Sequence, residues 1–105
     1  MLFICNQNLL RSPTAERIFS GRGGMEVASA GVAPNAVNPV SGELVRWADL
    51  IFVMEEWHQS ELARRFPPHL ENKRVICLDI PDQFEFMDPV LVRLLEAKAG
   101  PFLMA

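Results

Sequence analysis

The chain opens on a short apolar run, Leu2-Phe3-Ile4, that ends at Cys5 and gives way to the polar Asn6-Gln7-Asn8. A run of that length stopped by a turn predicts a buried strand. Behind it Ala15, Ile18 and Phe19 recur at the spacing of one helical face, with Pro13 suited to the first helical position and Ser12 placed before it as N-cap. The glycines between Gly21 and Gly24 read as a helix stop and turn, and no Lys-Ser ending makes them a nucleotide loop. Residues 26–29 then suit a short strand. A helix over 41–47 follows, with Ser41 as cap and Leu44, Val45 and Trp47 turned inward.

The uninterrupted apolar stretch 50–54 predicts a strand covered on both faces. Residues 55–66 carry Trp57, Leu62 and Phe66 near helical spacing and Arg64 and Arg65 late in the element, with Pro67-Pro68 as its stop. Residues 74–78 read as the last strand. Residues 89–99 read as the last helix, with a Leu91, Leu94, Leu95 stripe, Asp88 as cap and Gly100-Pro101 as terminator. Strands alternating with helices over short connections predict an α/β, doubly wound sheet, whose ligands bind beyond the carboxyl ends of the strands. Cys5 stands at such an end.

That position gives the spacing of the next residues its meaning. Cys5 and Arg11 are separated by five residues and followed at once by Ser12-Pro13. A loop of that length between a strand and a helix can turn the N–H groups of Asn6, Gln7, Asn8, Leu9, Leu10, Arg11 and Ser12 toward one tetrahedral oxyanion. Arg11 can grip two of its oxygens with a planar fork. Cys5 then faces the phosphorus as nucleophile, and inward dipoles, a helix N-terminus and a guanidinium all favour its thiolate. Ser12 has a second reading beside the cap, as a hydroxyl donated to that thiolate, and the two are compatible.

Composition narrows the alternatives. The chain has 105 residues, half of them apolar, which suffices for one domain, residues 1–105, with one core. A net charge of −3 argues against a nucleic-acid or anionic-membrane surface, so phosphate attraction has to be local. No apolar run approaches a membrane span and residues 1–4 lack the features of a signal peptide, so a cytoplasmic location is expected. His58 and His69 have no second ligand at metal spacing and read as surface or packing residues. No metal or cofactor is expected.

The segment Leu2 to Glu16, with Cys5, Asn8, Arg11, Ser12 and Pro13 in place, resembles the signature of the low-molecular-weight protein tyrosine phosphatases. Ser29-Ala30-Gly31, Ala48 to Met54 and Asp79-Ile80-Pro81-Asp82 resemble further elements of that family, so the likeness covers most of the chain. It implies a four-stranded parallel sheet, order 2-1-3-4, with helices on both faces and a shortened connection between Gly31 and Asp49. It implies a metal-independent phosphomonoesterase, protein-tyrosine-phosphatase-like, working through a phosphocysteine on a phosphorylated protein or a small aryl phosphate. In that strand order the first and fourth strands are not neighbours, which puts Cys5 and Cys77 about 10 Å apart, beyond disulfide reach. Cys77 then reads as a buried core thiol.

Phosphoryl transfer to cysteine needs a proton for the leaving oxygen. The resemblance implies an aspartate on the loop after the last strand, and Asp79, Asp82 and Asp88 compete there. Asp82 fits best, with Gln83 where the family has proline. Asp88-Pro89 keeps that dipeptide but serves the following helix as cap, and Asp79 sits nearest the strand. Gln7 stands in place of a loop glycine, so either the backbone tolerates a side chain there or the pocket is altered. Leu10 replaces a second loop cysteine, which removes a partner for oxidised Cys5. The retained Asn8 props the loop in the family. Phe84 is an even choice between pocket wall and core, and Phe86 reads as core. Arsenate reduction on the same fold, or phosphate binding without turnover, are the alternatives. The sequence leaves the oligomeric state open, as it does whether Phe102-Leu103-Met104 folds back.

Overall fold

The computed structural model describes residues 1–103. Its strands are β1 (Leu2–Cys5), β2 (Ala28–Gly31), β3 (Leu50–Val53) and β4 (Arg74–Cys77), and its helices are α1 (Arg11–Phe19), α2 (Gly42–Trp47), α3 (Glu56–Arg65), α4 (Pro67–Leu70) and α5 (Pro89–Leu103). The strands form one parallel sheet in the order β2-β1-β3-β4. The order and the helical layers are those implied by the resemblance. In register, Cys5 lies beside Gly31, Ile4 beside Val53, and Val53 beside Cys77.

Alternation along the strands divides the core in two. Phe3 and Phe52 face α1 and α5, where they meet Ala15, Phe19, Leu91, Leu95 and Ala99. Leu2, Ile4, Ile51 and Val53 face the other way, against Val45 of α2 and Leu62 of α3. A central strand with both faces covered has to be apolar at every position, and β1 is buried throughout. Phe3 is stacked between Phe19 and Phe52, with ring centroids 5.5 and 4.9 Å away. This packing holds β1 against the last turn of α1 and against β3.

Several elements depart from the sequence pattern. β2 starts and ends two residues later than expected and so reaches Gly31. Pro67-Pro68 does not simply stop α3; it begins the one-turn α4, because the first helical turn requires no N–H from proline. Gly100-Pro101 does not end α5, which runs on to Leu103. The continuation is held by packing, since Phe102 and Leu103 lie on the first core and Phe102 meets Phe52 edge-on at 5.6 Å. The described part of the tail therefore folds back, and Met104 lies outside the described residues. Trp47, expected inward, is exposed, as is Trp57, which shares helical spacing with Leu62 and Phe66. Asp88 caps α5 as expected, accepting from the Val90 N–H at 2.8 Å. Among the described residues no helix is long and apolar enough to cross a membrane.

Candidate active site

The loop between β1 and α1 is shaped from outside by the segment that follows β2. The carbonyls of Cys5, Asn6 and Gln7 accept from the N–H groups of Val32, Ala33 and Val37 at 3.0, 3.0 and 3.1 Å. At the far end the Leu10 carbonyl accepts from the Thr14 N–H at 3.2 Å and from Thr14 Oγ1 at 2.7 Å. With carbonyls drawn outward, the loop N–H groups are left for the interior. No N–H from Gln7 to Leu10 donates to a backbone carbonyl among the described residues. Such an arrangement can bind an oxyanion.

Two positions allow so tight a wrap. Asn8 takes a left-handed φ of 57°, which asparagine tolerates. Gly31 passes so near the loop that a Cβ there would lie 2.5 Å from the Asn6 carbonyl oxygen and 2.7 Å from the Ala36 Cβ. Gln7 is not among the positive-φ residues, so the backbone at that position accepts a side chain.

Cys5 is 3 % exposed at the bottom of the loop, with Ser12 Oγ 3.0 Å from its Sγ. The N-cap expected of Ser12 is absent. Helix α1 begins two residues earlier, at Arg11, and no side chain caps it. Ser12 Oγ instead lies within hydrogen-bond distance of the Cys5 thiol, where either atom can be the donor, and donates to the Ala30 carbonyl at 3.3 Å. The Asn8 amide donates to Ser12 Oγ and to Ser29 Oγ, both at 2.9 Å.

Arg11 is 2 % exposed and fixed on one edge. Its Nη1 donates to Glu55 Oε2 at 2.6 Å and to the Ile80 carbonyl at 2.8 Å. Glu55 sits at the N-cap of α3, where its backbone N–H donates to His58 Nδ1 at 3.1 Å. His58 is thus no surface residue. It is fully buried, its Nε2 has no hydrogen-bond partner among the described residues, and burial together with the Arg11 charge lowers its pKa to about 4. An acceptor at Nδ1 requires the neutral ring with hydrogen on Nε2.

Cys5, Gln7, Leu9, Leu10, Arg11 and Asp82 line a pocket of about 70 Å³. Sites for drug-sized molecules run to roughly 300–1,000 Å³, so only a small group enters here. Of the three candidate acids, the structure brings Asp82 alone to this pocket, with Oδ1 3.7 Å from Arg11 Nε. Asp79 lines a neighbouring hollow of about 340 Å³ with Glu55, Glu56, Trp57 and Pro81. Phe84 packs on the core, whereas Phe86, expected there, is exposed. The Met87 N–H donates to Thr14 Oγ1 at 2.9 Å, which ties the segment after Asp82 to α1.

Cys77 is not a buried core thiol. It is half-buried on the edge strand, with Sγ 3.5 Å from Asp79 Oδ1, and both cysteines are free. His69 packs against Gly42. The sequence reading missed Glu55, and with it the task of His58. The signal available was Glu55-x-x-His58 at the head of a helix, the spacing of a reciprocal cap.

No family model and no curated protein matches the chain in sequence. Solved structures do match over nearly the whole chain. The tyrosine phosphatase Wzb from Escherichia coli K30, in complex with phosphate, is 23 % identical and superposes with a TM-score of 0.78 over 96 % of this chain and 93 % of its own. The YwlE arginine phosphatase from Geobacillus stearothermophilus is 22 % identical, with a TM-score of 0.76 over 98 % and 92 %. The low-molecular-weight protein tyrosine phosphatase from T. tengcongensis is 22 % identical, with a TM-score of 0.71 over 94 % and 91 %. The chain has the fold of the low-molecular-weight protein tyrosine phosphatases.

Proposed function

We propose that this chain is a cysteine-dependent phosphomonoesterase that needs no metal and acts through a phosphocysteine. The observation that carries the reading is the lining of one small pocket by Cys5, Arg11 and Asp82, beside a loop whose N–H groups are not taken up by backbone carbonyls among the described residues. The Cys5 thiolate attacks phosphorus, and a P–S bond forms as the P–O bond to the leaving group breaks. Asp82, in its acid form, gives its proton to the departing oxygen. The carboxylate so formed then takes a proton from water, which attacks phosphorus and frees Cys5 with release of phosphate. The loop N–H groups of Asn6 to Ser12 and the Arg11 edge not held by Glu55 stabilise the charge on the phosphoryl oxygens.

The substrate class is a phosphorylated protein or a small aryl phosphate. Leu9, 55 % exposed on the pocket rim, offers an apolar contact to the group that carries the phosphate. A similar fold serves an arginine phosphatase as well as tyrosine phosphatases, so the residue that bears the phosphate is a matter for the rim. Arsenate reduction is less favoured, because β3 lies between the strands that end in Cys5 and Cys77 and leaves Cys5 without a resolving thiol in this chain. Residues 1–105 are taken as one catalytic domain, and a cysteine nucleophile suits the reducing cytoplasm.

The test is hydrolysis of an aryl phosphate from about pH 5 to about pH 8 without added metal, with the native protein and Cys5→Ser compared. Turnover confined to the native protein supports the reading. Phosphate bound tightly with no turnover in either protein would leave a binding role.

A further inference from the structure

Cys5 is one end of a hydrogen-bonded chain whose other end is a half-buried carboxylate. Ser12 Oγ is 3.0 Å from Cys5 Sγ, the Asn8 amide joins Ser12 to Ser29 by two 2.9 Å bonds, and Ser29 Oγ donates to Glu16 Oε1 at 2.5 Å. Two hydroxyls and an amide can be strung in either sense. In one sense Asn8 turns its carbonyl oxygen to both serines, both donate to it, and Ser12 has no hydrogen left for sulfur; it can then only accept from a neutral thiol. In the other, Asn8 presents its NH₂ group, and Ser12 keeps its hydrogen for a thiolate.

The far end decides between them. An ionised carboxylate only accepts, so it takes the single hydroxyl hydrogen of Ser29. Ser29 can then only accept from Asn8, which has to offer nitrogen. The second hydrogen of that NH₂ goes to Ser12, whose own hydrogen is left for Cys5. The Ala30 carbonyl, 3.3 Å from Ser12 Oγ, is the competing acceptor, and a charged sulfur is the stronger one. We propose that Glu16 is a positioning residue that fixes the direction of this chain, so that Ser12 donates to the Cys5 thiolate.

This role rests on Cys5 being the nucleophile, but it is read without turnover. Direct electrostatics predict the opposite sign, since removing a nearby negative charge should favour a thiolate. The other charged or titratable groups around Cys5 are Arg11 on α1 and Asp82 after β4, with Glu55 and His58 behind Arg11 at the head of α3. None of these is altered in the variants.

The experiment is the pH dependence of Cys5 alkylation by iodoacetamide, followed on the Cys5 peptide by mass, in the native protein, Glu16→Met, Glu16→Gln and Ser29→Ala. Glu16→Met should displace the curve to higher pH and slow alkylation at about pH 6 by about tenfold, the scale of one hydrogen bond to a charged group. Glu16→Gln keeps an acceptor oxygen and should recover most of the rate, and Glu16→Met should add nothing in a Ser29→Ala background. A Glu16→Met curve that stays in place or moves to lower pH would overturn the proposal, as would a Gln variant as slow as Met. Should Glu16→Met fail to fold, Ser29→Ala alone should show the displacement, and an unmoved curve there overturns it equally. The Glu16 effect on alkylation in a protein that turns over no aryl phosphate would uphold this role and sink the enzymatic reading.

Discussion

The two cysteines end parallel strands of the same sheet, at the same edge of the fold, and have been given opposite surroundings. Cys5 closes the central β1 and meets a serine hydroxyl, a pocket shared with a guanidinium and a loop whose carbonyls are drawn away. Cys77 closes the edge strand β4 and meets the Asp79 carboxylate, and partial burial pushes its thiol up. A carboxylate and partial burial oppose a negative sulfur at Cys77, whereas a hydroxyl and a guanidinium share the surroundings of Cys5. A strand end supplies a place for chemistry, and the loop that follows decides whether the chemistry occurs.

The sharpest break in that comparison is Cys5→Ser against Cys77→Ser. Aryl phosphate turnover should fall by about a thousandfold or more in the first and stay near native in the second, as kcat measurements would show. Equal losses would mean that the two thiols act together. Next comes Arg11→Lys, since an ammonium cannot hold Glu55 and the Ile80 carbonyl and also fork onto an anion. A loss of about 10²–10³-fold in kcat/KM is expected. Asp82→Asn should cost about 10²-fold on a substrate with a poor leaving group and much less on one that leaves readily. A loss independent of the leaving group would take the proton donor's role from Asp82.

Smaller effects concern the support behind Arg11. His58 is held neutral in the fold with a pKa of about 4, against 6.5 for the unfolded chain. The unfolded state therefore binds the proton first, so the contribution of His58 is complete above pH 6.5 and is lost as pH falls toward about 4. The loss amounts to about 3 kcal/mol over that range. Urea unfolding of native protein and His58→Gln at several pH values should show the variant with the flatter profile, and parallel profiles would contradict the assignment. Smallest of all, Asp88→Ala should cost about 1 kcal/mol as a lost helix cap and leave kcat unchanged.

Local pattern carried the strands, the helix order and the Cys5 to Arg11 loop, because each depends on residues adjacent in the chain. The errors fall where a distant partner decides. Ser12 has the features of an N-cap, yet Cys5 and Asn8 recruit its hydroxyl. Gly100-Pro101 has the features of a stop, yet Phe102 finds Phe52 across the fold. Glu55 is one acid among thirteen acidic residues in the sequence, and only the packing of α3 beside the loop places it on Arg11. The unexpected exposure of Trp47 has the same origin, for periodicity names a face without saying what covers it.

The dependence of the loop on residues 31–37, and of Arg11 on Glu55 and Ile80, also fixes when a working thiol can exist. Every one of those contacts spans a crossover, and a parallel sheet forms such pairings slowly. A growing chain whose β1 and α1 are complete would still carry an ordinary cysteine. If Cys5 is the nucleophile proposed above, its reactivity would emerge only when the third and fourth strands have docked, which would make it a clock for the last stage of folding.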